Sequence, residues 1–176
     1  MMHPAAESPY RDHRRAFIAA CEAAGVDVIA RVHPARGPDG KPLFMDSAAM
    51  GPRYAARGVL VVSRDAAGSG ALTELIHGGI RPPPDARLVL VHALDPAAFA
   101  GVPGDENWPH KMLGAVATED LAKVKDLAIL TLDGVDEMLK SAVAEALPES
   151  NINVMSIAVD TDDVRRALAG FYGTVE

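Results

Sequence analysis

The chain has 176 residues, 49% apolar and 23% charged, enough for one well-filled core and short for two. Its formal charge of −7 repels polyanions, which argues against nucleic acid or an anionic membrane as partner. No run approaches the ~18 apolar residues of a membrane span, and the single cysteine, Cys21, has no partner for an internal disulfide. The expectation is one soluble domain over residues 1–176 in a reducing, cytoplasmic compartment.

Ser8 followed by Pro9 reads as a cap and a first-turn proline, and Phe17, Ala20, Cys21 and Ala24 repeat at helical spacing until Gly25. That predicts an amphipathic helix, with Cys21 a small core hydrophobe and Arg11, His13, Arg14 and Arg15 on its solvated side. Residues 26–32 are rich in β-branched side chains, 34–42 carry proline and glycine turn chemistry, and 43–50 return as a strand, so a hairpin with a broad loop is expected. From Gly58 onward short continuous apolar runs alternate with helical stretches, the pattern of strands buried on both faces of a largely parallel sheet.

Such strands are expected over residues 58–63, 87–94, 126–132 and 153–159. Helices are expected over 70–77 and 111–124, and along the stripe from Val135 through Met138, Leu139, Ala142 and Val143 to Leu147. A last helix opens at Thr161, carries Asp162 and Asp163 in its first turn, and buries Val164, Leu168 and Phe171. Helix, hairpin, then repeated strand and helix, joined by right-handed crossovers, give a three-layer α/β/α fold with a mixed, mostly parallel sheet.

Several stretches are distinctive: Tyr10-Arg11-Asp12-His13-Arg14-Arg15-Ala16-Phe17, His33-Pro34-Ala35-Arg36-Gly37-Pro38-Asp39-Gly40 with Asp46 and Gly51-Pro52 after it, Gly58 through Ser63, and Arg87 through Pro96 with Phe99. The run His92-Ala93-Leu94-Asp95-Pro96 is the most specific of them. In these the chain resembles a bacterial family of uncharacterised proteins within the carboxypeptidase A-like zinc peptidase superfamily, over about its first hundred residues. The resemblance implies a zinc site at the carboxyl end of the sheet: a His and a Glu in the loop after Ser63, a further His at the end of a later strand, and a substrate-binding Asn-Arg after Glu106-Asn107.

This sequence departs from that pattern at every one of those places. After Ser63 the chain runs Arg64-Asp65-Ala66-Ala67 to Gly68-Ser69-Gly70, the later strand closes on Leu132-Asp133-Gly134, and Asn107 leads into Trp108-Pro109-His110. A catalytic zinc needs about three protein ligands and an open water position, so no catalytic residue, zinc ligand or cofactor carries over. The implied protein is a degenerate, shortened relative that keeps the sheet without the chemistry.

Other constellations offer a replacement. Asp65, Asp95 and Asp133 each follow a predicted strand, where ligands of open α/β sheets bind, and with His92 or His110 they make the candidate for a relocated metal site. The same aspartates read equally as helix caps, and His92, inside an apolar strand, as a hydrogen-bonded core residue. Gly68-Ser69-Gly70 reads as an anion cradle or as a tight turn, and Ser63, Ser69 and Thr73 offer hydroxyls without the strained elbow of a serine nucleophile. The sequence is therefore read as a non-catalytic binding or assembly module, a homodimer by expectation, with no assigned small-molecule ligand. The alternative is a small metal-dependent hydrolase of peptidase or amidase type.

Overall fold

The buried apolar runs at residues 57–62, 86–92 and 126–132 pair side by side into the middle of one sheet, and the other elements are arranged around them. The structure, a computed structural model, describes residues 9–132 and 137–172. In chain order the elements are α1 (Pro9–Ala23), β1 (Val28–Arg36), β2 (Pro42–Met50), β3 (Arg57–Val62), α2 (Ala66–His77), β4 (Ala86–His92), α3 (Pro96–Ala100), α4 (Trp108–Asp120), β5 (Asp126–Leu132), α5 (Glu137–Ala146), β6 (Asn151–Ile157) and α6 (Thr161–Tyr172).

The six strands lie in the order β1-β2-β4-β3-β5-β6. β3 pairs in parallel with both β4 and β5, and β5 in parallel with β6, whereas β2 pairs antiparallel with β1 and β4. The expected three-layer α/β/α architecture with a mixed, mostly parallel sheet and an N-terminal helix and hairpin is the one observed.

The period of two along each strand divides the core. Val59, Val61, Leu88, Leu90, Ala128, Leu130 and Leu132 point to the side covered by α1, α2 and α6, where Phe17, Leu72, Leu75, Val164 and Leu168 meet them. Leu60, Val62, Val89, Val91, Leu127 and Ile129 point to the other side, against Leu113, Val116, Leu139 and Val143 of α4 and α5. A small third cluster of Tyr10, Leu43, Ala93 and Ala97 fills the corner between α1, the hairpin and α3.

Element boundaries differ from expectation where side chains override local propensity. Residues 34–36, expected in a turn, belong to β1, whose register slips between Val32 and Arg36. Pro34 is tolerated because an edge strand leaves alternate N–H positions unpaired. α2 begins at Ala66, four residues before the expected start, because the Asp65 side chain caps it. The short α3 was not expected, and Asp95 caps it in the same way. α6 starts at Thr161, but its cap is Asp160, whose Oδ1 accepts from the amides of Asp162 and Asp163, while the Thr161 hydroxyl donates to Glu74 at 2.7 Å. Tyr172 rather than Phe171 is the buried aromatic at its end.

Candidate functional site

The parallel strands β3 and β4 end side by side, and the segments that follow them form the part of the sheet where ligands of this architecture bind. Ser63, wholly buried, ties the two ends together. Its amide donates to Val91 O at 2.9 Å, its carbonyl accepts from Leu94 at 3.0 Å, and its hydroxyl donates to Val91 O at 3.2 Å. Between them Ala93 takes a φ of 55°, the left-handed region that costs a non-glycine residue about 1 kcal/mol or more. The strain turns the chain sharply out of β4 so that Asp95 stands at the start of α3.

Both aspartates are already in use. Asp65 Oδ1 accepts from the amide of Gly68 at 2.9 Å, and Asp95 Oδ1 from the amide of Ala98 at 3.1 Å. Each caps its own helix rather than facing the other across a shared centre. The Asp65 carboxylate also occupies the turn at Gly68 that an anion would need, so the expected anion cradle is filled from within. Gly68 sits in a tight space there, since a Cβ would lie 3.1 Å from Ser63 Cβ.

His92 closes β4 on the α1 side of the sheet and is fully buried. Its ring stacks on Phe17, centroids 4.8 Å apart and planes 16° from parallel. Nε2 lies 2.6 Å from Ser69 Oγ, and Nδ1 stands 3.6 Å from Asp46 Oδ2, beyond hydrogen-bond reach but close enough for charge to matter. Arg14 completes the row, gripping both carboxylate oxygens of Asp46 at 2.8 and 3.0 Å. A carboxylate facing Nδ1 favours the tautomer with its proton there, which leaves Nε2 to accept from the Ser69 hydroxyl. Burial pushes the His92 pKa down, partly offset by Asp46, so the ring is neutral near pH 7.

The row Ser69, His92, Asp46, Arg14 thus spans α2, β4, β2 and α1. Its first three members have the chemical order of a serine nucleophile, its base and an orienting acid. All three side chains are fully buried, so no substrate carbonyl reaches the hydroxyl. As it stands the row is a polar brace holding two helices to two strands. Cys21 nearby is equally withdrawn: burial pushes its thiol up to about 11, so it is not a nucleophile.

The remaining metal candidates are scattered. His110 lies on α4, on the opposite side of the sheet from His92, with Nε2 3.1 Å from Glu145 Oε2 on α5. Asp133 lies outside the described residues. Among the described residues no three His, Cys, Asp or Glu side chains come together in a group that would hold a metal ion. Among the described residues Asp65, Asp95, His92 and His110 form no such group: the aspartates cap helices, His92 meets Ser69 and His110 meets Glu145. Zinc does not fit the segment after β3 either, whose one acidic side chain is spent on a cap.

The sequence puts Arg14 on a solvated helix face and Asp46 in a distinctive stretch, but shows neither their pairing nor the link from Ser69 to His92. An acid inside an otherwise apolar strand signals a buried partner without naming it. Nor does the sequence show that His33 is buried, with its Nδ1 accepting from the amide of Ala35 at 2.9 Å and its ring centroid 4.5 Å from that of Trp108 in an edge-on arrangement. Desolvation lowers its pKa too. A cleft of about 940 Å³ between α2 and α6 is lined by Gly70, Glu74, Asp160, Thr161 and Arg165, but Glu74 and Asp160 are the groups already engaged at the start of α6.

With the geometry in place, comparison with known proteins gives the family. The model of a family described as "Protein of unknown function (DUF2817)" matches residues 7–102, more than half of the chain. The chain belongs to the DUF2817 family. The matched region runs from α1 through α3 and so contains the whole Ser69 to Arg14 row as well as both capping aspartates. No curated protein matches it in sequence.

Solved structures share the fold at low identity. A protein described as a zinc-dependent exopeptidase, from Bacteroides vulgatus, superposes with a TM-score of 0.50 at 10% identity, covering 93% of this chain and 85% of that one. An aspartoacylase family protein from Mesorhizobium loti gives 0.51 at 12% identity, covering 83% of this chain and 67% of its own. A glutaminyl cyclase from Porphyromonas gingivalis gives 0.48 at 12% identity, covering 87% and 82%. The first two share the fold of this sheet and its helices.

Proposed function

We propose that this member of the DUF2817 family is a degenerate relative of zinc-dependent, carboxypeptidase-like hydrolases that acts without catalysis, as a binding or assembly module. The observation that carries this reading is the use to which the strand ends are put. Asp65 and Asp95 cap helices, Ser63 stitches β3 to β4, and Ser69 is bonded to a buried His92. Groups in those places have to be free to bind a metal or a substrate if the fold is to hydrolyse anything.

The test is elemental analysis of the purified chain together with assays on peptides, N-terminal glutaminyl peptides and N-acyl amino acids, the last two taken from the names of the fold relatives. The expected result is no stoichiometric transition metal and no turnover. One zinc per chain with turnover abolished by a chelator overturns the reading and favours the metal-dependent hydrolase.

A second reading has one observation in its favour, the 2.6 Å contact between Ser69 Oγ and His92 Nε2 with Asp46 behind it. It makes the chain a serine hydrolase whose site opens only when α2 lifts off β4. A fluorophosphonate probe labels an activated serine covalently, so labelling at Ser69, located by peptide mass spectrometry, decides for it. Absence of labelling decides against it.

A further inference from the structure

Among the described residues β6 is the last strand of the sheet on its side, and it carries none of the usual guards of an edge. The strand Asn-Ile-Asn-Val-Met-Ser-Ile carries no charge and no proline, and it holds an unbroken register with β5 from Asn151 to Ile157. Half of its main-chain N–H and C=O groups point outward, and among the described residues no strand pairs with that edge. Its side chains are only partly covered on either face: Ile152 and Val154 lean on the cluster under α4 and α5, Ile157 leans on the one under α1, α2 and α6, and Met155 is 42% exposed. An unbroken, neutral edge of this kind is a template for another strand.

We propose that β6 pairs antiparallel with β6 of a second copy of this chain, about a two-fold axis at Val154, so that two six-stranded sheets become one. The proposal rests on the assembly reading above and names its partner. An axis perpendicular to the sheet keeps each molecule's faces on the same side, so the half-covered core under α5 continues into that of the copy, as does the one under α6. Val154 is the midpoint of the strand and faces itself across the axis. Ile152 then lies opposite Ser156, Asn153 opposite Met155, and Asn151 opposite Ile157.

Although the chain carries a net −7, no charged side chain of β6 meets its like across this axis. A second copy supplies the same apolar residues at the same depth on both faces, so each molecule covers what the other leaves open. The copy is therefore the occupant for which the edge is complementary on both faces at once.

The test is the mass of the full chain in solution, by sedimentation equilibrium at concentrations up to roughly 100 µM. The expected mass is twice the 18.5 kDa of one chain. Asn153 and Met155 are both exposed, so replacing them leaves the fold intact, which circular dichroism and the melting temperature verify. The double substitution N153K/M155K sets lysine against lysine twice across the axis and is expected to weaken the dimer by roughly tenfold or more. N153K/M155E sets lysine against glutamate at the same two places and is expected to restore it.

A wild-type chain that stays at the mass of one copy overturns the proposal. So does a dimer indifferent to N153K/M155K, and so does a β6 that takes up a foreign extended peptide in place of a second copy. Those outcomes leave the non-catalytic reading standing, whereas metal-dependent turnover removes that reading without touching the mass measurements.

Discussion

The two edges of the sheet are built on opposite plans. β1 is interrupted by Pro34 and by a register slip, carries Arg31 and Arg36, and belongs to a hairpin pinned from several directions. The Tyr10 hydroxyl donates to Phe44 O at 2.8 Å and accepts from its amide at 2.7 Å, Arg11 holds Asp39 and Arg14 holds Asp46, and Arg31 reaches Glu119 of α4 and Ser47. β6 has little beyond its ladder, chiefly Asn151 bonded to Asp126 at 3.1 Å. Both are edge strands, but β1 carries the proline, charges and register slip that discourage further pairing, whereas β6 carries none of them.

That contrast breaks most readily at Asp46. Replacing it with Ala strips Arg14 of a bidentate partner and leaves His92 facing no charge, and loss of one member of a buried pair costs about 3 kcal/mol or more. Urea unfolding of Asp46→Ala is expected to show a loss of this order, and a change below roughly 1 kcal/mol means that the row braces nothing.

Gly51 ends β2 with a φ of 94°, and a Cβ there would sit 2.2 Å from the backbone oxygen of Ala86. Gly51→Ala is therefore expected to lower stability by about 2 kcal/mol, from left-handed strain and a backbone clash together. An unchanged melting temperature would show the turn to be less confined than its contacts indicate.

The pinned side also holds the buried histidines, and it should respond to acid. Burial lowers the pKa of both His33 and His92, so the unfolded chain takes up protons near pH 6.5 that the folded chain refuses. Stability is then greatest above that point and falls as pH drops below it, each refused proton costing at most about 1.4 kcal/mol per pH unit. Melting curves at pH 7.5 and 5.5 check the sign, and a higher melting point at pH 5.5 contradicts it. The smallest effect is expected at the guarded edge. Val32 is 59% exposed on β1, so Val32→Lys should change stability by less than about 0.5 kcal/mol and leave the mass in solution unaltered, unlike the lysine pair on β6.

Much of the fold could be read directly. The run from Asp126 to Leu132 is uninterrupted and apolar, and β5 occupies those residues. The stripe of Phe17, Ala20 and Cys21 marks the buried face of α1. The site was harder to read because its residues are distant in the chain. Asp65 and Asp95 announce themselves as acids after strands, and only the positions of Gly68 and Ala98 show that both are caps. Ser69 and His92 are 23 residues apart and Arg14 and Asp46 are 32 apart, and no local pattern records that they meet.

By itself the sequence determined which segments are strands and which are helices, through hydrophobic period, and it determined that no zinc ligands of the resembled kind follow Ser63. The order of the strands, the meeting of Ser69, His92, Asp46 and Arg14, and the placing of a neutral strand at an uncovered edge were decided only by the tertiary structure. Period and capping are properties of neighbours along the chain, whereas pairing and burial are set by which elements come to lie beside one another.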